Sequence, residues 1–347
     1  MRLKPTLTAL FVAATLALPA AAQECVGQNL FDQLPPERMA EMQAAVEGVP
    51  YAHGLFWRAE KGDQRITLIG TYHFPDPRHD LILRHFTPEI GAAAKLLVEA
   101  GPEEEALLTK ALSSDVALLV NAEGPTLPER LSEDEWQALS STLEKRGVPP
   151  VIASRMQPWY VAVMLGVSPC MQRMMQDGDG LDGLDRLLIR KAEAADVPVQ
   201  ALEPWNALFT VFEGMTPREE EDMIRAGMPA AEHADDYTVT MTETYFAENG
   251  WLILEFSRFN AYYNSGLSRA EVDAQTEMAQ DRMLNQRNAR WIEPLEKAAA
   301  AAAEQGKGVV AGFGALHLPG EKGVLRLLES RGWKISPIRV EGIGDGG

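Results

Sequence analysis

The sequence predicts an α/β protein in which a mixed central sheet is flanked by helices and interrupted by a long helical insertion. Short apolar, strand-like runs occur near both ends of the chain, and amphipathic helical patterns follow them. Between these two groups, residues 205–303 have a mostly helical pattern. With 347 residues, 46% of them hydrophobic, the chain is long enough to form one large domain or two modest ones.

Local signals justify the individual elements along the chain. Lys61-Gly62-Asp63-Gln64 separates two strand-like runs, which is typical of a β-hairpin. Ser132 followed by Glu135 predicts a capping box at the start of a helix. The predicted elements are, in order, helix 36–46, strands 55–60 and 66–69, helix 88–95, strand 96–99, helices 103–113, 133–146, 159–165 and 184–195, strand 197–202, the helices of 205–303, strand 308–312, helix 321–331 and strand 333–340.

The N-terminus has the pattern of a secretory signal peptide. Arg2 and Lys4 precede an apolar run over residues 7–18, and an Ala-x-Ala site ends at Ala22. The run is shorter than the roughly 20 apolar residues that a membrane span needs. We therefore expect residues 1–22 to be removed, residues 23–50 to form an N-terminal extension and residues 51–347 to form the α/β domain of a periplasmic or secreted protein.

The chain contains two cysteines, Cys25 and Cys170, which lie far apart in the sequence. In an oxidising compartment such a pair most simply forms one disulfide bond. The alternative is two buried free thiols. A metal site at the pair is disfavoured, because neither cysteine has a CxxC spacing or a neighbouring histidine.

Charge and missing motifs exclude several function classes. The chain has 32 Lys and Arg against 50 Asp and Glu, a net charge of −18, and it lacks the clustered basic residues that nucleic-acid binding needs. It also lacks the HExxH, GxSxG and Walker A motifs. Zincin, serine hydrolase and nucleotide-using classes are therefore disfavoured.

Two histidines follow strand-like runs in the same way. His73 ends the motif Gly70-Thr71-Tyr72-His73, and His317 ends Gly314-Ala315-Leu316-His317. Glu99 follows a third apolar run. Carboxyl ends of strands line the ligand crevice of an open α/β sheet, and glycine lets the backbone turn sharply or approach a ligand. Two imidazoles and a carboxylate suit Zn²⁺, Mn²⁺ or Fe²⁺; the alternative is that each histidine is only a hydrogen-bonded loop residue.

The chain resembles the TraB/GumN family, which is related to the Tiki proteases. The resemblance covers about 55–340 and implies an α/β fold related to the erythromycin-esterase and haem-binding ChaN-like proteins. It also implies a metal site at the paired GxxH histidines and acidic residues, because Tiki members are metal-dependent peptidases. One departure is Leu316, where the second motif of the family often has glycine. The matching stretches are Leu55-Phe56-Trp57, Ile66 to His73, Leu97-Val98-Glu99, Gln157-Pro158-Trp159, Gly183-Leu184-Asp185, Pro198 to Glu203, Arg287-Asn288, and Gly314 to Gly320 with Gly323-Val324-Leu325.

Three further residues are candidates for the chemistry. Glu203 matches an acidic position of the family and is either a general base, a further ligand or one half of an ion pair with a nearby arginine. Arg287 and Asn288 lie on a predicted helix, where Arg287 either orients substrate or belongs to a solvated helix face.

We therefore predict a secreted, peptidase-like metal-dependent hydrolase. His73, Glu99 and His317 would hold divalent Mn, Co or Zn, and Glu203, Arg287 and Asn288 would act on a peptide or small-molecule substrate. The alternative is a non-catalytic periplasmic protein on the same fold that binds haem, a peptide or an envelope polymer.

Overall fold

The computed structural model describes residues 26–176 and 182–344. A π-helical turn, Asp281–Asn285, joins the helices Arg269–Gln280 and Gln286–Ala303, and a 3-10 turn, Ala315–His317, follows the strand Val309–Gly314. The elements are α1 (Pro36–Val46), β1 (Phe56–Lys61), β2 (Gln64–Thr71), α2 (His79–Ala92), β3 (Leu96–Val98), α3 (Pro102–Ser114), α4 (Leu127–Arg130), α5 (Glu133–Glu144), α6 (Pro150–Ala153), α7 (Pro158–Gly166), α8 (Pro169–Gln176), α9 (Leu184–Ala194), β4 (Val199–Ala201), α10 (Ala207–Phe212), α11 (Pro217–Glu232), α12 (Ala234–Phe246), α13 (Gly250–Asn264), α14 (Arg269–Gln280), α15 (Gln286–Ala303), β5 (Val309–Gly314), α16 (Val324–Ser330) and β6 (Lys334–Pro337).

The strands form one mixed sheet in the order β4-β3-β5-β2-β1-β6. The four strands from β4 to β2 are parallel, and β1 pairs antiparallel with both β2 and β6. Helices α10 to α15 lie between β4 and β5 in the chain. The predicted α/β fold with a mixed sheet and a helical insertion is confirmed; its relation to the erythromycin-esterase and ChaN-like proteins stays a prediction.

The register of the parallel strands brings three strand ends to one edge of the sheet. Thr71 at the end of β2 pairs with Gly314 at the end of β5. Val98 at the end of β3 pairs with Gly312 of β5. Because β5 lies between β3 and β2, the segments that follow these three strands leave the sheet side by side.

Helices cover both faces of the sheet, and successive side chains of β5 point to opposite faces. Val310 packs with the buried side chains of α2 and α9, whereas Val309, Ala311 and Phe313 pack with α15 and α16. Trp291 of α15 is fully buried against the second face. This packing fixes α15, and therefore the residues of its first turn, over the carboxyl end of β5.

The helical insertion and the N-terminal segment have cores of their own. One cluster joins α5, α7 and α11. Another joins α1 to α12 and α13, with Met42, Tyr237 and Phe256 among its buried members. The described part of the predicted N-terminal extension therefore packs on the insertion. No helix in the described ranges is long and apolar enough to cross a bilayer.

Most predicted elements are present, with differences at their ends. Helix α1 and the capping box of Ser132 and Glu135 are as predicted. Helix α2 begins at His79 and not near Pro88, because Pro88 is accommodated inside the helix. The last strand ends at Pro337, before the predicted end at 340.

Two predictions depend on residues outside the described ranges. The signal peptide, residues 1–22, lies outside them, and so does Cys25. Cys170 lies on α8 and is buried. The Cys25–Cys170 disulfide therefore stays a prediction.

Candidate functional site

The three predicted metal ligands surround one small space above Gly314. A Cβ atom added to Gly314 would lie 3.2 Å from Glu99 Oε1 and 3.6 Å from His73 Nε2. The same atom would lie 3.6 Å from His317 Cδ2. His317 Nε2 is 3.7 Å from Glu99 Oε1. The structure thus brings together residues from three strand ends, and glycine at position 314 keeps the space between them open.

Gly70 and Gly314 matter because they have no side chain and so leave room for neighbouring atoms. They do not need a special backbone conformation, since neither has a positive φ. A Cβ atom on Gly70 would lie 2.7 Å from Leu318 Cδ1 and 3.1 Å from Ala315 Cα. Gly70 therefore lets the turn that carries His317 pack directly on β2. Gly70 lies inside β2, whereas Gly314 ends β5 and directly precedes the 3-10 turn; the expected approach of these glycines to a ligand stays a prediction.

Asn288 sets the orientation of His317. The Asn288 side chain donates from Nδ2 to the Lys322 carbonyl at 2.9 Å, so its Oδ1 faces His317 Nδ1 at 2.6 Å. Because an amide oxygen only accepts, Nδ1 of His317 carries the proton and Nε2 presents its lone pair to the site. Burial lowers the pKa of His317 to about 4, which also favours this neutral form.

Asp185 has the corresponding role at His73. His73 Nδ1 donates to Asp185 Oδ2 at 2.8 Å, and the Thr71 hydroxyl donates to the other oxygen of Asp185. The negative charge of Asp185 outweighs burial and raises the pKa of His73 to about 9. The His73 side chain is 63% exposed, whereas those of Glu99 and His317 are 16% and 5% exposed.

Sequence reasoning missed Asp185 as a site residue. It lies in the first turn of α9, whose Leu184 N–H donates to the Tyr72 carbonyl at 2.9 Å. A Cβ atom on Gly183 would lie 2.1 Å from the His73 carbonyl oxygen. The signal was present in the stretch Gly183-Leu184-Asp185, which was among those that the chain shares with its family.

Glu99 is held as a buried anion. Its Oε1 accepts from the Gly314 N–H at 2.6 Å, and its Oε2 accepts from Arg287 Nη2 at 2.5 Å. Burial alone would raise the pKa of this carboxyl group. At the low pH at which Glu99 titrates, His317 is protonated as well, and the positive charges of His317, Arg287 and His73 lower the pKa of Glu99 to about 2, with help from the Gly314 N–H.

Arg287 lies in the centre of the site and is only 14% exposed. Its Nε donates to Glu203 Oε2 at 2.9 Å, and its Nη2 also donates to Glu203 Oε1. Its Nη1 lies 3.3 Å from His317 Nε2. Glu203 additionally accepts from Trp291 Nε1 at 3.3 Å. Of the roles considered for Glu203, the ion pair with an arginine is therefore the observed arrangement, and Arg287 is not part of a solvated helix face.

The donor chemistry of the site fits a divalent cation. Both imidazoles have Nδ1 bound to an oxygen and Nε2 facing the space above Gly314, as in metal sites where an oxygen that accepts from Nδ1 orients the metal-bound histidine. When both imidazoles are neutral, the candidate site carries a net charge of −2, from three carboxylates and one guanidinium group. The carboxylates are Glu99, Glu203 and Asp185.

The side chains of the candidate site are not positioned to coordinate an ion without rearrangement. Within the described residues, no group of three or more His, Cys, Asp or Glu side chains is placed to hold a metal. The physical reason is Arg287, whose Nη1 faces the lone pair of His317 Nε2 and whose Nη2 occupies one oxygen of Glu99. A cation between these ligands requires the Arg287 guanidinium to move away from His317.

The family model of the TraB/PrgY/gumN family matches residues 55–337. The chain belongs to this family. The match begins one residue before β1 and ends with the last residue of β6. It therefore includes the whole sheet and every site residue named above. No curated protein is significantly similar to the chain.

Proposed function

We propose that this TraB/PrgY/gumN family member is an exported hydrolase that depends on a divalent metal and cleaves amide bonds in peptides. The observation that carries the proposal is the pair of oriented histidines, each with Nδ1 bound to an oxygen and Nε2 directed to the space beside Glu99. The N-terminal signal-peptide pattern supports a periplasmic location.

His73, Glu99 and His317 would hold the metal, which when bound supplies a Lewis acid and a water of lowered pKa. Asp185 and Asn288 keep the imidazoles in the tautomer that a metal ligand needs. The His73 imidazole must lose a proton to act as a ligand, and the exposed position of Nε2 gives that proton a path to solvent.

Arg287 is the group of this chain best placed to act on the substrate. Its guanidinium is bound by Glu203 through two hydrogen bonds, which anchor the group when it moves away from His317 and exchanges its contacts with His317 and Glu99 for substrate. A guanidinium at this place stabilises negative charge that develops on a carbonyl oxygen.

Metal binding and turnover by the purified mature chain test this proposal. We expect one equivalent of Zn²⁺, Mn²⁺ or Co²⁺ in equilibrium dialysis, and His73→Ala and His317→Ala should each weaken binding at least about tenfold. His85→Ala is the matched control, because His85 lies exposed on α2 away from the site. Cleavage of a peptide library, followed by mass spectrometry, should stop when a chelator is added.

Two outcomes would contradict the proposal. If the chain binds none of these metals, or if His73→Ala binds them as well as the unaltered protein, the metal centre is wrong. If the chain retains haem, a peptide or an envelope polymer without any turnover, the binding-protein alternative replaces the hydrolase.

A further inference from the structure

Two cavities adjoin the turn that carries His317. The first has a volume of about 430 Å³ and is lined by residues that include Trp251, Asn288 and Lys322. The second has a volume of about 300 Å³ and lies among α11, α13 and α14. Gln280, Leu284 and Leu316 line both cavities. The two volumes are therefore neighbours, and these three side chains stand between them.

The second cavity, which we call the apolar cavity, is lined almost entirely by uncharged side chains such as Met223, Leu254 and Val272. Among its described lining residues Arg258 alone is charged, and Glu255 pairs with it. The hydroxyl group of Ser257, another lining residue, is already engaged with Tyr237 and with the Ile253 carbonyl. The lining thus offers contact area to an apolar group and little to a charged one.

The apolar cavity reaches the candidate active site through two of its lining residues. Leu316 directly precedes His317 in the 3-10 turn after β5. The Met283 carbonyl accepts from Arg287 Nη1 at 3.1 Å, and the same nitrogen lies 3.3 Å from His317 Nε2. The cavity wall is therefore one guanidinium group away from the proposed metal ligand.

Leu316 limits the apolar cavity on the side of the first cavity. Its Cδ2 would lie 3.6 Å from a Cβ atom on Gly250, so the side chain packs over the start of α13. Met283 is 47% exposed and lines the apolar cavity. A flexible thioether at this position can move aside for an entering group.

We propose that the apolar cavity binds an apolar side chain of the peptide substrate, next to the bond that is cleaved, and that Leu316 sets the largest side chain accepted. This inference rests on the proposed hydrolase function. Its physical basis is the burial of the side chain in a preformed apolar space whose lining residues Met283 and Leu316 adjoin Arg287 and His317. Burying a side chain as large as leucine or phenylalanine contributes about tenfold to hundredfold in affinity.

Two variants on one helix test whether a probe binds in the apolar cavity or elsewhere on the surface. Ala279 and Ala274 are both exposed on α14, but only Ala279 lines the apolar cavity. The neutral fluorophore phenylnaphthylamine serves as the probe for the mature full-length chain. We expect saturable binding that Ala279→Phe weakens at least about tenfold and Ala274→Phe leaves unchanged.

Competition against the probe identifies the class of ligand. N-acetyl-phenylalaninamide should displace phenylnaphthylamine, whereas N-acetyl-glycinamide at the same concentration should not. Leu316→Ala should improve competition by N-acetyl-tryptophanamide several-fold relative to the unaltered chain, because it opens the partition between the cavities. Displacement by octanoate but not by the phenylalanine amide would replace the peptide side chain by an acyl chain and overturn the assignment.

Probe binding tests the cavity and metal-dependent turnover tests the hydrolase function, so a failure of this inference can be distinguished from a failure of the proposed function. His73→Ala should retain full probe binding, since His73 does not line the apolar cavity. Saturable binding without any metal-dependent turnover would end the hydrolase proposal while locating a ligand cavity. Equal effects of Ala279→Phe and Ala274→Phe, or the lack of saturable binding, would refute the cavity assignment whatever the metal chemistry.

Discussion

Asn288 and His317 form a buried pair in which the amide of one residue determines the tautomer of the other. The 2.6 Å contact between Asn288 Oδ1 and His317 Nδ1 is fixed by the second hydrogen bond of the amide, to the Lys322 carbonyl. The pair links the first turn of α15 to the turn after β5. It leaves the lone pair of His317 Nε2 directed into the candidate site.

Removing the Asn288 amide should therefore weaken metal binding without removing a ligand. We expect Asn288→Ala to lower the affinity for Co²⁺ by about tenfold to hundredfold, measured by the visible absorption of the bound ion. Asn288→Asp keeps an oxygen acceptor for His317 Nδ1 and should retain most of the affinity. Equal affinities of Asn288→Ala and the unaltered protein would show that the tautomer is set in another way.

The charge of Asp185 should control the proton on His73. In the metal-free protein the pKa of His73 is raised to about 9, chiefly by Asp185. Asp185→Asn should bring it down towards 6.5, as measured by an NMR titration of the ring protons, with the unaltered protein as the control. A folded-state pKa above the unfolded one stabilises the fold fully below pH 6.5, and this contribution is lost as the pH rises through about 9. An unchanged His73 titration in Asp185→Asn would contradict the pairing.

Glu203 should matter for stability as well as for the site. Its side chain is 11% exposed and that of Arg287 is 14% exposed, so Glu203→Ala leaves a guanidinium without one of its two carboxylate partners. We expect a loss of about 3 kcal/mol in the free energy of unfolding, measured in urea. Glu329→Ala is the control, because Glu329 pairs with Arg326 at an exposed position. Similar urea midpoints for the two variants would argue against a structural ion pair at Glu203.

His79 should make the protein sensitive to acid. It is buried beside Phe246 with both ring nitrogens unpaired, and burial lowers its pKa to about 4. The unfolded chain binds this proton at about pH 6.5, so the stability contribution is complete above pH 6.5 and is lost as the pH falls towards 4. His79→Leu should remove roughly 2 kcal/mol of the stability difference between pH 7 and pH 5.

Urea unfolding at the two pH values measures this difference. His85→Leu on the same helix is the control and should keep the full pH dependence, because His85 is exposed. If His79→Leu shows the same loss of stability in acid as the unaltered chain, another group is responsible.

Gly183 should be needed for the position of His73. An alanine there would place its Cβ atom 2.1 Å from the His73 carbonyl oxygen, which neither backbone can accommodate without moving. Gly183→Ala should lower the unfolding midpoint and weaken metal binding together. Gly91→Ala in α2 is the control, because its added Cβ atom meets nothing within 4 Å and alanine favours a helix. A Gly183→Ala protein with unchanged metal affinity would show that the first turn of α9 does not position His73.

Local patterns in the sequence were enough to predict much of the candidate site. The repeated GxxH after apolar runs pointed to His73 and His317, because strand ends and glycine breaks can be recognised over a few residues. The roles of Arg287 and Glu203 could not be separated in this way. Their ion pair joins residues 84 positions apart, and a solvated face and a buried pair have the same local sequence.

The sequence by itself determined where helices and strands form and that histidines and a glutamate follow three of the strands. Apolar periodicity, capping residues and turn residues are local properties, and they need no knowledge of the rest of the chain. Only the tertiary structure decided that β5 lies between β3 and β2, which brings His73, Glu99 and His317 to one edge. It also decided that Asp185, 112 residues away, orients His73, and that Arg287 contacts both Glu99 and His317. Strand order and such pairings follow from packing α9 and α15 on opposite faces of the sheet, and contacts of this range are not encoded in any short stretch of sequence.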